Sequence, residues 1–267
     1  SSPCRDSRGT LTAMRLSGKV AIVTGAAVGI GRAIAVAYGR EGARVVVNYS
    51  RSEAEAQETA SQVRAAGGEA LPIRADVSAD AAVRAMVAQT LEQWGGVDVL
   101  VNNAGITAHI PFSDLEALTD EVWDRLYAVN VKGAFFCARA VSEPMRRRGS
   151  GRIINLGSVA GQRPFGSSMA YAVSKAALIH LTRCLAKTLG PEIRVNVIVP
   201  GYIDETRWNA GRPAFDPAAA RRAGAESAVL KRPGRPDDVA EAAVYLATGA
   251  DFLTGVELNV DGGRQLG

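Results

Sequence analysis

Short runs of apolar and β-branched residues alternate along the chain with longer segments whose apolar residues recur at helical spacing. The apolar runs span residues 19–24, 43–49, 70–75, 97–102, 152–156, 194–199 and 256–260. The first six are almost unbroken, which is typical of strands that are buried on both faces of a parallel sheet. The helical segments span residues 31–41, 53–66, 79–94, 119–148, 170–189 and 236–248.

This alternation predicts an α/β fold: a doubly wound, seven-stranded, mostly parallel sheet with helices on both faces. Because all seven strands can share one sheet, we expect a single domain over residues 16–267, with residues 1–15 as a disordered or loosely attached arm. Residues 201–235 carry no strand signal and contain several Gly and Pro residues. We therefore expect a substrate lid there, above the sheet edge where ligands bind in open α/β folds.

The composition is that of a globular protein with a full core. Of 267 residues, 47% are hydrophobic and 22% are charged, and a chain of this length buries about three quarters of its unfolded surface. The three cysteines are widely spaced and form no C-x-x-C, which favours a reduced, cytoplasmic protein. His109 and His180 have no ligand partners at metal-binding spacing, so we expect no metal. No apolar run approaches the ~18 residues of a membrane span, so we expect no membrane partner.

The charge balance says little about partners. There are 31 Lys and Arg residues against 27 Asp and Glu residues, a formal net charge of +4. The densest basic run, residues 146–148, ends a predicted helix, where cations interact favourably with the helix dipole. A solvated helix end is favoured there over an anion-binding patch, and we expect no nucleic-acid partner.

A glycine-rich loop follows the first predicted strand, where residues 24–31 read TGAAVGIG. Gly25 permits a tight turn, Gly29 removes a side chain where a pyrophosphate would approach, and Gly31 allows close packing of helix against strand. The N–H groups at the start of the following helix can bind phosphate. The loop therefore indicates a dinucleotide site, with a merely structural turn as the alternative. Its G-x3-G-x-G spacing differs from the usual G-x-G-x-x-G.

That spacing resembles the glycine motif of the short-chain dehydrogenase/reductase family. Further motifs of the family follow in order over residues 16–264: NNAG at 102–105, Asn130 in the long helix, Ser158, Tyr171-x3-Lys175, Pro200-Gly201 and NVDGG at 259–263. Within the family, the chain is most similar to the 3-oxoacyl-[acyl-carrier-protein] reductase type. The resemblance implies a Rossmann-like fold, an NAD(P)-binding catalytic domain and hydride transfer between a nicotinamide and a carbonyl or alcohol carbon.

Tyr171 and Lys175 are the candidate catalytic pair. On a helix they lie one turn apart on the same face. Because a nearby ammonium favours the phenolate, we expect Lys175 to lower the pKa of Tyr171 and make it a usable general acid and base. Ser158 can hydrogen-bond the substrate oxygen. The resemblance implies that Lys175 also holds the nicotinamide ribose and that Asn130 orients a water linking Lys175 to solvent.

The end of the second strand decides between NAD and NADP. An acid there would bind the adenosine ribose hydroxyls and repel a 2′-phosphate. Here residues 48–51 read NYSR, with no acid before residue 53. Arg51 can pair with a phosphate, Ser50 and Asn48 can donate to it, and Arg32 follows the glycine loop closely enough to help. We therefore expect NADP(H) to be preferred over NAD(H).

The resemblance supplies the remaining cofactor contacts. Asp76 and Val77 correspond to the adenine clamp, and the others are Ile30, Tyr49, Asn103, Ala104, Gly105, Pro200, Gly201, Ile203 and Thr206. Relatives commonly carry Thr four residues after the glycine that corresponds to Gly201, and this chain has Glu205 there. Either a one-residue bulge brings Thr206 to the usual place or the contact is lost.

The predicted substrate pocket is mostly apolar with a few hydrogen-bond donors, which suits a ketone on a medium-sized carbon frame. Its candidate substrate residues are His109, Gln162, Phe165, Tyr202 and Trp208, with further walls at Ala108, Gly161 and Phe215. His109 is open to a second interpretation, as a solvent-exposed loop residue.

These observations predict an NADPH-dependent carbonyl reductase that acts on a ketone or 3-oxoacyl substrate and runs in reverse as an alcohol dehydrogenase. A non-catalytic dinucleotide-binding regulator and an NAD-dependent sugar or steroid alcohol dehydrogenase are the alternatives. The resemblance also implies a homotetramer or homodimer. The basic run at 146–148 could dock an acidic carrier protein if the substrate is carrier-bound.

Overall fold

The fold is a parallel sheet of seven strands. The structure is a computed structural model, and it describes residues 14–209 and 215–266. The strands are β1 (Val20–Val23), β2 (Arg44–Tyr49), β3 (Glu69–Arg74), β4 (Val99–Asn102), β5 (Gly151–Leu156), β6 (Ile193–Pro200) and β7 (Glu257–Val260). Each bound lies within two residues of the predicted one. The unbroken apolar runs were therefore a reliable signal of buried strands.

The strand order is β3-β2-β1-β4-β5-β6-β7, and every neighbouring pair is parallel. This confirms the predicted doubly wound α/β fold. The chain reverses its direction of travel across the sheet between β1 and β4, so the carboxyl ends of these two strands flank a crevice where ligands bind in such folds.

Helices cover both faces of the sheet. They are α1 (Gly29–Arg40), α2 (Glu53–Ala65), α3 (Asp80–Trp94), α4 (Asp120–Tyr127), α5 (Ala134–Arg147), α6 (Met169–Leu189), α7 (Pro217–Ser227) and α8 (Pro236–Thr248). No helix among the described residues is long and apolar enough to cross a bilayer.

The predicted single helix over residues 119–148 is wrong in one respect. A π-helical turn, Ala128–Gly133, separates α4 from α5. Its cause is tertiary: the Asn130 side chain reaches the backbone of Ile106, and Gly133 packs so closely on Val77 that a Cβ there would lie 2.9 Å from a Val77 methyl group. A π turn of this kind is frequent at functional sites.

The segment over residues 201–235, predicted as a lid, contains helix α7. The Asp216 carboxylate caps it by accepting from the N–H groups of Ala218 and Ala219, and Pro217 occupies the first turn. Residues 210–214 of this segment lie outside the described residues, as do residues 1–13 of the predicted arm. Arg15, also in that arm, pairs with Glu41 at 2.6 Å.

The core lies on both sides of the sheet because successive strand residues point to opposite faces. In β1, Ala21 and Val23 pack toward α1 and α8, while Ile22 packs with Leu100 toward α3 and α5. All of these side chains are fully buried. The sheet thus holds the carboxyl ends of its strands at one edge, where the candidate residues gather.

Candidate active site

The glycine loop joins β1 to α1 in the conformation its residues predict. Gly25 and Gly29 have φ values of +61° and +57°, in the left-handed region that favours glycine. A Cβ on Gly31 would lie 2.4 Å from the Gly25 carbonyl oxygen, so only glycine fits there. The N-terminus of α1 has neither a side-chain cap nor an acidic residue in its first turn. Its N–H groups are therefore available to an anionic ligand.

Asn103 ties the glycine loop to the end of β4. Its amide Nδ2 donates to the carbonyls of Thr24 and Gly25 at 2.9 and 3.0 Å. In return, the Thr24 hydroxyl accepts from the N–H groups of Asn103 and Ala104, both at 3.0 Å. These four bonds fix the loop against the strand that lies across the crevice.

Tyr171, Lys175 and Ser158 come together at the carboxyl ends of β5 and β6. Tyr171 and Lys175 lie in the first two turns of α6, both buried, with the Lys175 Nζ 5.8 Å from the centroid of the Tyr171 ring. The Nζ donates to the Leu156 carbonyl at 2.7 Å. Ser158 follows β5, and its side chain hydrogen-bonds that of Tyr171. Three of the four predicted catalytic side chains, all but Asn130, therefore form one cluster.

Burial sets the protonation of the pair. It raises the pKa of Tyr171 to about 12, with the hydrogen bond from Ser158 acting in the opposite direction. It lowers the pKa of Lys175 to about 8. The expected lowering of the Tyr171 pKa is thus wrong for these protein side chains, because burial disfavours the phenolate and is the largest effect on the Tyr171 pKa.

Asn130 is buried in the π-helical turn and pins the segment after β4. Its Oδ1 accepts from the Ile106 N–H at 2.9 Å, and its Nδ2 donates to the Ile106 carbonyl and to the Ser174 hydroxyl, both at 3.0 Å. Both N–H donors of the side-chain amide are thus used. Asn130 lies close to Lys175: a Cβ on Gly105 would be 3.4 Å from the Asn130 Oδ1 and 3.5 Å from the Lys175 Nζ.

Two of the four predicted phosphate ligands at the end of β2 support the protein backbone. Asn48 is buried: its Oδ1 accepts from the Gly25 N–H at 3.2 Å, and its Nδ2 donates to carbonyls that include Ala75 at 3.1 Å. The Arg32 guanidinium donates to the Ala27 carbonyl at 2.8 Å and to the Thr59 hydroxyl at 2.9 Å. Neither arrangement supports direct phosphate binding.

The other residues at this end of the sheet are accessible. Tyr49 is the buried last residue of β2, whereas Ser50 and Arg51 are exposed. Asp76 is also exposed, and its carboxylate accepts from the Ser78 N–H and hydroxyl at 2.9 and 2.7 Å, which holds its pKa below the ordinary value. Val77 beside it is buried.

Thr206 lies against the glycine loop, so it is near the place where relatives carry their Thr. Glu205 has a left-handed φ of +58°, and the methyl group of Thr206 lies 3.6 Å from where a Cβ on Gly29 would stand. The preceding turn is held by a bridge between Ile203 and Gly234, and the Gly201 N–H donates to the Val260 carbonyl at 3.0 Å. The chain leaving Pro200 is thus fixed over the glycine loop.

Of the predicted substrate residues, Trp208 lies beside the Tyr171 ring, and His109 has a buried ring nitrogen without a partner among the described residues. The Trp208 ring, 37% exposed, lies 5.3 Å from the Tyr171 ring between centroids. The His109 Nε2 is buried and has no hydrogen-bond partner within residues 14–209 and 215–266. A buried polar atom without a partner favours a substrate-facing role over that of a solvated loop residue.

The other three substrate candidates have structural partners. The Gln162 amide bonds Glu257 at 2.7 Å and Asn259 at 2.8 Å on β7. The Phe165 ring packs on a small core cluster beneath the Arg264 guanidinium. Tyr202 packs its ring on α7, where a Cβ on Gly224 would lie 2.3 Å from it. These contacts give the three residues positions in the scaffold and no support for substrate contact.

Known proteins similar to this chain point to one family. A family model described as enoyl-(acyl carrier protein) reductase matches residues 25–265. A Streptomyces violaceoruber protein whose name proposes it as ketoacyl reductase 2 of the granaticin polyketide synthase is 45% identical over 92% of this chain and 96% of its own length. A short-chain type dehydrogenase/reductase structure from Mycobacterium marinum has a TM-score of 0.86 at 36% identity, covering 95% and 98% of the two chains. The chain belongs to the short-chain dehydrogenase/reductase family.

A 3-oxoacyl-[acyl-carrier-protein] reductase from Synechocystis is 37% identical over 93% of this chain and 97% of its own length. As a short-chain dehydrogenase/reductase, the chain is an oxidoreductase of CH–OH or C=O groups that uses a nicotinamide dinucleotide. The site fits such a cofactor, because the uncapped N-terminus of α1 offers N–H groups to a pyrophosphate beside the catalytic cluster.

Two residues of this short-chain dehydrogenase/reductase site were not predicted from the sequence. Ser174, whose hydroxyl donates to the Tyr171 carbonyl at 2.7 Å, links that residue to Asn130. Arg207 pairs with Glu55 at 2.7 Å and joins the chain after β6 to the first turn of α2. The adjacency of Ser174 to Lys175 was a usable signal. Arg207 offered none, because its partner lies 152 residues away.

Proposed function

We propose that this protein is an NADPH-dependent carbonyl reductase that reduces a ketone or 3-oxoacyl substrate and runs in reverse as an alcohol dehydrogenase. The observation that carries the proposal is the buried cluster of Ser158, Tyr171 and Lys175 at the same sheet edge as the glycine loop. A regulator that only binds a dinucleotide would have no use for a buried phenol hydrogen-bonded to a serine beside a buried amine.

In the proposed reaction a bound nicotinamide supplies the hydride. Ser158 and Tyr171 hydrogen-bond the carbonyl oxygen, and Tyr171 gives its proton to that oxygen as negative charge develops. Burial raises the pKa of Tyr171, so the phenol holds its proton at neutral pH and can donate it to the carbonyl oxygen. Lys175 holds the nicotinamide ribose and stabilises the phenolate left behind. Asn130 positions the segment after β4 and, in this proposal, a water that links Lys175 to solvent.

The proposed cofactor contacts follow the accessible groups of the sheet edge. The backbone N–H groups of Gly29, Ile30 and Gly31 bind the pyrophosphate, and Asp76 and Val77 bind the adenine. Ser50 and Arg51 take the 2′-phosphate that distinguishes NADPH from NADH, since both are exposed and no acid occupies the end of β2. The relative named as a 3-oxoacyl-[acyl-carrier-protein] reductase is in keeping with NADPH. A kcat/KM tenfold higher with NADH would overturn this assignment.

The proposed substrate is a ketone on a mostly apolar frame. Trp208 supplies an apolar wall beside Tyr171, and the unpartnered His109 Nε2 supplies one polar contact. An NAD-dependent sugar or steroid alcohol dehydrogenase is the second candidate. It is favoured by relatives named sorbitol dehydrogenase, from Cereibacter sphaeroides and 40% identical, and 3beta-hydroxysteroid dehydrogenase 1, from Eggerthella lenta and 42% identical.

A homotetramer or homodimer remains part of the proposal. Phe135 on α5 and Val173 on α6 are 37% and 40% exposed, and apolar side chains on these two helices are suited to an interface between copies. A cytoplasmic location and docking of a carrier protein at residues 146–148 likewise stay predictions. Reversing the charge of those three arginines without changing the turnover of a carrier-bound substrate would dispose of the docking.

The test compares the wild type with Tyr171→Phe in an NADPH oxidation assay against a ketone panel. We expect turnover to fall by about 10²- to 10⁴-fold, the usual worth of a positioned general acid, while NADPH affinity stays unchanged. Equal rates for the two proteins would favour the non-catalytic regulator. A matching panel of sugar and steroid alcohols with NAD⁺ distinguishes the second candidate.

A further inference from the structure

A second arginine stands at the end of the sheet where the 2′-phosphate is proposed to bind. Arg74 is the last residue of β3 and the direct cross-strand partner of Tyr49, the last residue of β2. It is exposed, and its Nε donates to the Ser50 carbonyl at 3.2 Å. The guanidinium is therefore anchored by one edge beside the backbone of Ser50, with its terminal Nη groups left for another acceptor.

The surroundings of Arg74 leave its charge unmatched. Among residues 14–209 and 215–266, neither Arg74 nor Arg51 forms a salt bridge, although thirteen other pairs do. The charge of Arg51 acts on the Asp76 carboxylate, which already accepts hydrogen bonds from the N–H and hydroxyl of Ser78. Two arginines therefore flank Ser50, and neither is ion-paired with a carboxylate of the described residues.

The other cations and donors at this end of the sheet serve the protein itself. Arg32 holds the Ala27 carbonyl and the Thr59 hydroxyl, and Asn48 is buried on backbone groups. A dianionic phosphate at the end of β2 needs more positive charge than Arg51 alone provides. Arg74 is the accessible cation that the fold adds there.

We infer that Arg74 is a specificity-determining residue that, together with Arg51, binds the 2′-phosphate of NADPH. Its anchored guanidinium presents two Nη groups to phosphate oxygens across Ser50, whose own N–H and hydroxyl complete the contact. The inference rests on the proposed NADPH preference and adds to it a residue on a different strand. It requires no movement of the backbone, because Arg74 already touches Ser50.

The test is isothermal titration of the full chain with two probes that differ only in the phosphate, adenosine 2′,5′-bisphosphate and adenosine 5′-monophosphate. The variants are Arg74→Gln, Arg74→Lys and Arg51→Gln. Arg64→Gln is the matched control, because Arg64 is also exposed and also donates to a backbone carbonyl, that of Ala70 at the opposite end of β3, at 2.9 Å. A thermal melt of each variant confirms that it is folded.

We expect the wild type to prefer the bisphosphate, and Arg74→Gln to weaken bisphosphate binding about tenfold, as for a lost hydrogen bond to a charged group at an exposed site. Monophosphate binding should stay within about twofold, Arg74→Lys should lose less than Arg74→Gln because it keeps the charge, and Arg64→Gln should match the wild type. If Arg51→Gln weakens the bisphosphate and Arg74→Gln does not, the inference is overturned while the NADPH proposal stands. If the wild type fails to distinguish the probes, both are overturned.

Discussion

Replacing Gly31 with alanine isolates the steric demand of the glycine loop. Gly31 has ordinary helical geometry, so the added methyl group introduces no backbone strain, and within a helix alanine would otherwise stabilise the protein by about 1 kcal/mol. The new Cβ would lie 2.4 Å from the Gly25 carbonyl oxygen, 2.5 Å from the Asn103 Nδ2 and 2.9 Å from the Ala26 Cα. Real Cβ contacts essentially never fall below 3.0 Å.

Two of the three obstructing atoms belong to the backbone, and the third is held by two hydrogen bonds. Relief therefore requires the loop to move away from α1 rather than a side chain to rotate. Overpacking of this kind costs about 3 kcal/mol, so after the gain in helix propensity we expect a net loss of about 2 kcal/mol. For a chain of this length, that lowers Tm by about 4 to 8 °C.

The assay is a thermal melt combined with a titration of NADPH. Because the displaced loop carries the N–H groups proposed to bind the pyrophosphate, Gly31→Ala should lose cofactor affinity as well as stability. Gly149→Ala is the control: its φ of +69° makes alanine strained, but no atom lies within 4 Å of the new Cβ and the site is far from the loop. It should lose about 1 kcal/mol without any change in cofactor affinity. A Gly31→Ala protein with wild-type Tm and affinity would refute the steric reasoning.

Two further results are expected. Thr182→Val should lower the free energy of unfolding in urea by about 1 to 3 kcal/mol, because it leaves the buried Asn155 Nδ2 without its acceptor at 2.8 Å. Thr188→Val on the same helix loses only an exposed hydrogen bond to a carbonyl and should cost far less. Equal losses would contradict this reasoning. Burial lowers the pKa of Lys175 from its ordinary value of 10.5 to about 8, so the folded protein binds fewer protons than the unfolded chain between these pH values. The free energy of unfolding should therefore rise from pH 8 toward pH 10.5, and Lys175→Met should flatten that rise. An unchanged pH profile in the variant would show that burial does not lower this pKa.

The sheet could be predicted from the sequence because its signal is local. A strand buried on both faces needs apolar residues at every position, and runs such as that of β1 supply them wherever the strand packs. The π-helical turn could not be predicted in the same way. It arises because Asn130 bonds the backbone of Ile106, and nothing within the sequence of the helix records that distant contact.

The candidate site shows the same division. Ser158, Tyr171 and Lys175 could be placed together because the carboxyl ends of parallel strands share an edge and because a spacing of four keeps two residues on one helix face. The pKa values of the pair could not be predicted, since burial outweighs the charge of a neighbour and burial depends on the whole fold. The position of Thr206 against Gly29 could not be predicted either, because it depends on the left-handed φ of Glu205, a residue type that seldom adopts one.

Burial also separates the polar residues of the sheet edge into those that support the backbone and those that can meet a ligand. The side-chain amides of Asn48 and Asn103 hydrogen-bond the glycine loop. These bonds fix the backbone of the loop before any phosphate binds. Such a loop suits a pyrophosphate, which NADPH and NADH share. In the proposed function, the choice between the two dinucleotides therefore rests on exposed residues at the ends of β2 and β3, of which Arg51 and Arg74 are positively charged.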